Sequence, residues 1–110
     1  MTRSNRKKPK RNTADRFAVL NAFVDFTAAE LRRSELLVWM TLYRDTRNGT
    51  AATSQRDIAK RSGLNRKTVE RSIASLVERG LLRVVYSGGF QRGPARYVVL
   101  PVNRERLDKL

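Results

Sequence analysis

The chain has 110 residues, one domain's worth, and 40% of them are apolar, which is enough for a small, thin core. Its 24 Lys and Arg against 10 Asp and Glu give a formal charge of +14, far beyond what solubility asks for, so the expected partner is a polyanion. With neither His nor Cys, the sequence excludes zinc fingers, thiol nucleophiles, disulfides and imidazole acid–base chemistry; no enzyme, metal or cofactor is expected.

Residues 1–12 (MTRSNRKKPKRN) carry six bases and no acid. Such a segment buries too little to offset its ordering entropy and is expected to be a disordered basic tail, with Lys7, Lys8 and Lys10 contacting an anionic backbone. The pattern also suits a solubilising arm or a short nuclear-import signal. Taking its six charges from +14 leaves +8 on residues 13–110, so the folded part is itself basic. Over residues 14–25, Phe17, Val19, Leu20, Phe23 and Val24 recur at spacings of three and four, predicting a helix capped by Thr13 with these five on one face, although their β-branched and aromatic content also suits an extended segment, and the apolar stretch from Phe17 to Phe26 could pair two subunits. Thr27 and Glu30 have the spacing of a capping box and predict a short turn. A stronger helix follows, capped by Ser34, with Glu35 near its positive end and Leu36, Leu37, Val38, Trp39, Met40, Leu42 and Tyr43 covering most of its surface; a helix so apolar belongs at the centre of a domain. Residues 45–52, with Asn48-Gly49, predict an exposed loop.

The informative stretch is residues 53–82. Ser54 and Asp57 cap a short helix ending at Gly63, with Ile58 and Ala59 turned inward. Leu64 plugs the turn, and Asn65 caps a second helix whose inward stripe is Val69, Ile73, Leu76 and Val77 and which ends at Gly80. Burying that stripe turns Arg66, Lys67, Glu70, Arg71 and Ala74 outward. Two short helices about a Gly-centred turn make a helix-turn-helix, whose second helix is the usual reader of the major groove. Residues 81–87 (LLRVVYS) and 96–100 (RYVVL) are β-branched and aromatic and predict a hairpin; its loop, SGGFQRGPA, is tipped by Phe90, Gln91 and Arg92.

The run from 25 to 101 resembles the winged helix-turn-helix domains of bacterial regulators and of plasmid and phage replication initiators. The resemblance rests on Ser54, Ile58, Ala59, Gly63, Leu64, Asn65, Thr68, Val69, Arg71, Ile73, Leu76, Gly80, Leu81 and Leu82 at fixed spacings, after a Leu/Trp-rich helix. It implies an α+β, mainly α fold: a three-helix core with a C-terminal β-hairpin wing and an extra N-terminal helical segment, spanning 13–110. It also implies double-stranded DNA binding, with the wing along the adjacent minor groove or backbone. Activators, repressors, and replication or partition accessory proteins share this fold, so the cellular role stays open among them. The sequence shows no appended ligand-binding domain, and no small-molecule ligand is expected. A homodimer is expected, because one short recognition helix reads few base pairs.

The expected DNA-contact set is Ser54, Gln55 and Arg56 at the first helix of the motif, Asn65, Arg66, Lys67, Thr68 and Arg71 at the second, Phe90, Gln91 and Arg92 on the wing, and Lys7, Lys8 and Lys10 on the tail. Lys60 and Arg61 read either as phosphate contacts or as the solvated end of a helix. Glu70 is expected to orient Arg66 or Arg71 through a salt bridge rather than to read cytosine. Trp39 reads as core, and Tyr86 and Tyr97 as cross-strand packing. A protein-interaction module on the same fold is the competing class. Residues 53–80 hold seven bases and three acids, and that charge favours nucleic acid. No aromatic platform for stacking RNA bases is present, so B-form DNA leads. No apolar run approaches the eighteen or so residues of a membrane span and the N-terminus is too polar for a secretory signal, which predicts a cytoplasmic, nucleoid-associated protein, or a nuclear one in a eukaryote.

Overall fold

The computed structural model describes residues 7–89 and 91–103, with side chains from Asp15 onward. In chain order the elements are α1 (Lys7–Phe26), a 3-10 turn (Ala28–Glu30), α2 (Arg33–Asp45), β1 (Ala51–Ala52), α3 (Gln55–Ser62), α4 (Arg66–Glu78), β2 (Leu82–Tyr86) and β3 (Arg96–Val99). The mainly helical α+β architecture of a winged helix is the one expected.

Helix α1 starts at Lys7, not after Thr13, so residues 7–12 are helical where disorder was expected; residues 1–6 lie outside the described residues. The physical reason is local. Pro9 falls in the first turn, where backbone N–H groups lack intrahelical partners anyway, and Lys and Arg are good helix formers. Of the five apolar residues placed on one face, Phe23 is buried and Val19 and Leu20 pack partly against the core, whereas Phe17 (66%) and Val24 (64%) are exposed. Arg16 fixes the helix instead: its guanidinium donates to the Tyr43 and Thr46 carbonyls at the end of α2 and stacks over the Tyr43 ring, while the Tyr43 hydroxyl donates to the Arg16 carbonyl. A cation on those terminal carbonyls also complements the negative end of α2.

Two expected caps are replaced. Thr27 makes no capping bond; its hydroxyl donates to the Pro101 carbonyl at 2.6 Å. Ser34 lies inside α2, whose N-cap is Arg32, and the Arg32 backbone N–H donates to Glu35 Oε1 at 2.8 Å. Trp39, fully buried, forms the centre of the core. It stacks on Phe23 with ring centroids 3.7 Å apart and on Tyr43 at 5.1 Å, and its indole N–H donates to the Leu100 carbonyl. Val38 and Leu42 are buried beside it, while Met40 is exposed, so α2 is less completely wrapped than its composition suggests.

The expected loop over 45–52 contains a strand. Asn48 and Gly49 take positive φ, closing a tight turn with Arg47 bridged to Thr50, and β1 then pairs antiparallel with β3, Ala51 opposite Tyr97. The result is a three-stranded sheet in the order β1-β3-β2. The β2–β3 hairpin pairs Leu82 with Val99 and Val84 with Tyr97, then slips at a bulge so that Tyr86 faces Arg96. Tyr97 is buried, as expected for packing, but Tyr86 is exposed and spans the wing loop instead.

Candidate nucleic-acid interface

Local sequence builds the helix-turn-helix as expected. The Ser54 hydroxyl accepts from the Asp57 N–H at 3.1 Å to start α3, and Gly63, at φ 78°, ends it in the left-handed region that side-chain-bearing residues avoid. The Asn65 carbonyl oxygen accepts from the Thr68 N–H at 2.8 Å to start α4. Ile58 on α3 and Val69, Ile73 and Leu76 on α4 are buried; Val77, expected with them, is exposed, and Ser72 takes a buried place on that face.

Burying that stripe places Arg66, Lys67, Glu70, Arg71 and Ala74 in solvent together. Among the described residues none of Arg66, Lys67 and Arg71 has an ion-pair partner, and Glu70 forms none either, so the expected Glu70 bridge is absent. An exposed pair of that kind gains too little to hold two long side chains together. The first two turns of α4 therefore present three cations with their donors uncommitted.

The α3 side is more constrained. Ser54 and Arg56 are exposed, but Gln55 is half-buried near the Tyr97 hydroxyl, whose pKa burial raises. Arg61, one of the two cations left between phosphate contact and helix end, is committed internally. It makes a two-pronged pair with Asp45 and a 3.3 Å contact with Asp57, while Thr53 donates to the same Asp45 carboxylate. The Arg61 hydrogen bond holds the Asp45 carboxyl below its ordinary value. Lys60 remains exposed.

At the wing, Gln91 and Arg92 are exposed, and the loop is closed by Arg92 N–H donating to the Gly89 carbonyl and the Tyr86 hydroxyl to the Arg92 carbonyl, at 3.0 and 2.7 Å. Gly88 is required there: its φ is 75°, and a Cβ would sit 2.8 Å from the Ala95 nitrogen. Phe90 lies outside the described residues. Lys7, Lys8 and Lys10 fall in the first turns of α1, and their side chains also lie outside the description.

Sequence reasoning did not find a cleft of about 250 Å³ between the start of α2 and one flank of α4, lined by Arg32, Ser34, Thr68, Arg71 and Arg79 with Glu35 at its floor. Glu35 is 3% exposed. Its carboxylate accepts from the Arg32 backbone N–H and the Ser75 hydroxyl, with Arg79 Nε at 3.4 Å. Burial by itself would raise the Glu35 pKa; these three donors outweigh it and hold the group ionised below its ordinary value.

Among the described residues no three or more His, Cys, Asp or Glu side chains could share a metal ion, and no helix is long and apolar enough to cross a membrane.

Residues 29–82 match a family described as a helix-turn-helix domain. A search by sequence among curated proteins returns no match. By structure, the chain is similar to the PcaV transcriptional regulator from Streptomyces coelicolor in complex with its natural ligand, at TM-score 0.51 and 20% identity, covering 98% of this chain and 69% of that one. A second structure of PcaV gives 0.50 at 23% identity, covering 91% and 68%. The MarR of Staphylococcus aureus in complex with salicylate and kanamycin gives 0.50 at 15% identity, covering 96% and 66%. At these identities the likeness bears on the fold, which is that of α1 through the wing. Residues 29–82 therefore carry a helix-turn-helix, set within a chain of winged-helix architecture.

Proposed function

We propose that the chain is a transcriptional regulator that binds duplex DNA sequence-specifically, with the first turns of α4 in the major groove and the wing on the adjacent backbone or minor groove. The observation that carries this reading is the exposed face of α4, where Arg66, Lys67 and Arg71 stand together without internal partners. Arg71 lies one turn beyond Lys67, so both reach into one groove, and an Arg bidentate to guanine supplies about 1–3 kcal/mol of discrimination. Ser54, Asn65 and Thr68, at the starts of α3 and α4, and Arg56 beside them suit flanking phosphates. Gln91 and Arg92 supply the wing contacts.

Selection of bound sequences from a random duplex library tests the division of roles. Arg71→Ala is expected to relax preference at one or two base positions with the fold intact, whereas Arg92→Ala lowers affinity with the preferred sequence unchanged. A consensus that shifts for Arg92→Ala and not for Arg71→Ala would reverse helix and wing.

The reading includes a homodimer. Phe17 and Val24 lie two turns apart on one face of α1, both exposed, and Met40 of α2, which borders a hollow with Arg16 and Leu20 of α1, is an exposed apolar residue as well. Pairing two copies through α1 covers that face and doubles the number of base pairs read. Sedimentation should show a dimer at micromolar concentration, and Phe17→Glu with Val24→Glu should give a folded monomer that binds a two-half-site duplex at least about tenfold more weakly. A wild-type chain that sediments as a monomer on and off DNA removes this part of the reading.

A further inference from the structure

We propose that the cleft between α2 and α4 is a seat for one backbone phosphate of the bound duplex, held by Arg32, Ser34 and Arg79, so that the start of α2 is part of the DNA interface. The inference rests on the DNA-binding reading above and extends it to residues outside the helix-turn-helix.

The cleft is lined by three guanidinium groups and four hydroxyl-bearing residues, with Glu35 as its only acid. That carboxylate does not oppose an incoming anion in proportion to its charge. It is buried, and its oxygens are occupied by the Arg32 N–H, the Ser75 hydroxyl and Arg79. Three Arg against one Glu leave the walls with a surplus of two positive charges. Arg32 is exposed and has no ion-pair partner among the described residues. Its hydrogen bonds to Glu35 and Leu36 both use the backbone, which leaves the side-chain fork free for a planar or tetrahedral oxyanion.

Position selects the backbone of the duplex as occupant. Arg71 lines the cleft and also stands on the exposed face of α4 that enters the groove. A strand whose base edge meets Arg71 carries its flanking phosphate along the flank of α4, toward the cleft mouth. The Glu35 contacts fasten the first turn of α2 to Ser75 on α4 and to Arg79 just past its end, so Arg32 is held at a fixed place relative to the recognition helix before DNA arrives. A rigid positive wall beside the reading helix sets the depth and angle at which that helix sits, which is the role of phosphate contacts generally.

The test is the salt dependence of duplex affinity, measured on the full chain by fluorescence anisotropy. The variants are Arg32→Ala, Arg32→Lys and the control Arg44→Ala. Arg44 is likewise an exposed cation, at the other end of α2, twelve residues away, about 18 Å along the helix and some two screening lengths distant at physiological salt. Wild type is expected to show a log–log slope of several units. Arg32→Ala should lose roughly three- to tenfold in affinity on every duplex and about one unit of slope, without changing the preferred sequence. Arg32→Lys should regain most of both, and Arg44→Ala should change little. If Arg32→Ala binds as wild type does, or Arg44→Ala loses as much as Arg32→Ala, the seat is rejected while the steep wild-type dependence leaves DNA binding standing. A wild-type chain that binds no duplex at any salt overturns the DNA reading and the seat together.

Discussion

Trp39→Ala should unfold much of the protein, at a cost of about 3–5 kcal/mol against a total stability of about 5–15 kcal/mol for an ordinary domain. The indole is fully buried, stacked between Phe23 of α1 and Tyr43 of α2, and its N–H satisfies the Leu100 carbonyl beyond the wing. Truncation thus removes two ring contacts, opens a cavity and strands a carbonyl in one step. Thermal melts by circular dichroism report the loss, and DNA binding should vanish in parallel with ellipticity. Trp39→Phe keeps much of the apolar volume and loses the N–H, so it should cost about 1–3 kcal/mol and leave a folded protein that still binds. A folded Trp39→Ala chain lacking only DNA affinity would make Trp39 a contact residue.

Glu35 governs a second large effect, and it is pH-dependent. Glu35→Leu leaves the Ser75 hydroxyl, the Arg32 N–H and Arg79 without their acceptor in a largely buried place, at an expected cost of about 1–3 kcal/mol at neutral pH; Arg79 is partly exposed and recovers water, which keeps the figure at that level. The folded-state pKa of Glu35 lies below its ordinary 4.5. Its ionised form therefore stabilises the fold fully above that ordinary value, and the contribution disappears as pH falls through the lower, folded-state pKa. Urea melts at pH 7 and at pH 3 should show the gap between wild type and Glu35→Leu narrowing at the acid end. Asp45, held down by Arg61, adds acid lability of the same sign to both proteins. A gap that stays constant with pH would mean that Glu35 contributes through packing alone.

The helix-turn-helix was legible because its signals are local. Ser54, Gly63 and Asn65 each act within four residues of themselves, and the stripe Ile58, Val69, Ile73, Leu76 follows from helical period alone. Where the deciding partner is distant, the sequence is mute. Helical spacing groups Phe17 and Val24 with Phe23, yet which part of an apolar arc meets the core is set by where Arg16 finds the end of α2, 27 and 30 residues away. Ala51 and Ala52 have no strand preference of their own and become β1 because β3 offers them an edge. The internal commitment of Arg61, which sequence left between solvent and phosphate, is fixed by Asp45, 16 residues upstream. Glu35 sits at the head of an apolar helix, where a charge ordinarily means a solvated first turn; its burial depends on Ser75 and Arg79, 40 and 44 residues later.

The segment that follows the wing ties these distant pieces together, and this bears on how the chain acquires its fold. The Leu100 carbonyl meets Trp39 across 61 residues, the Pro101 carbonyl meets Thr27 across 74, and Asn103 donates to the Arg79 carbonyl. During synthesis from the N-terminus, α1, α2 and the helix-turn-helix are all made before any of these closures is possible. Until then the Trp39 N–H and the Thr27 hydroxyl lack their native acceptors. Closing so long a loop is entropically slow, so the final ordering step should be arrival of residues 100–103, with wing and core becoming rigid in one cooperative event. A newly made chain would then gain its final rigidity late, only when the segment behind the wing has been fastened to α2 and to the turn before it.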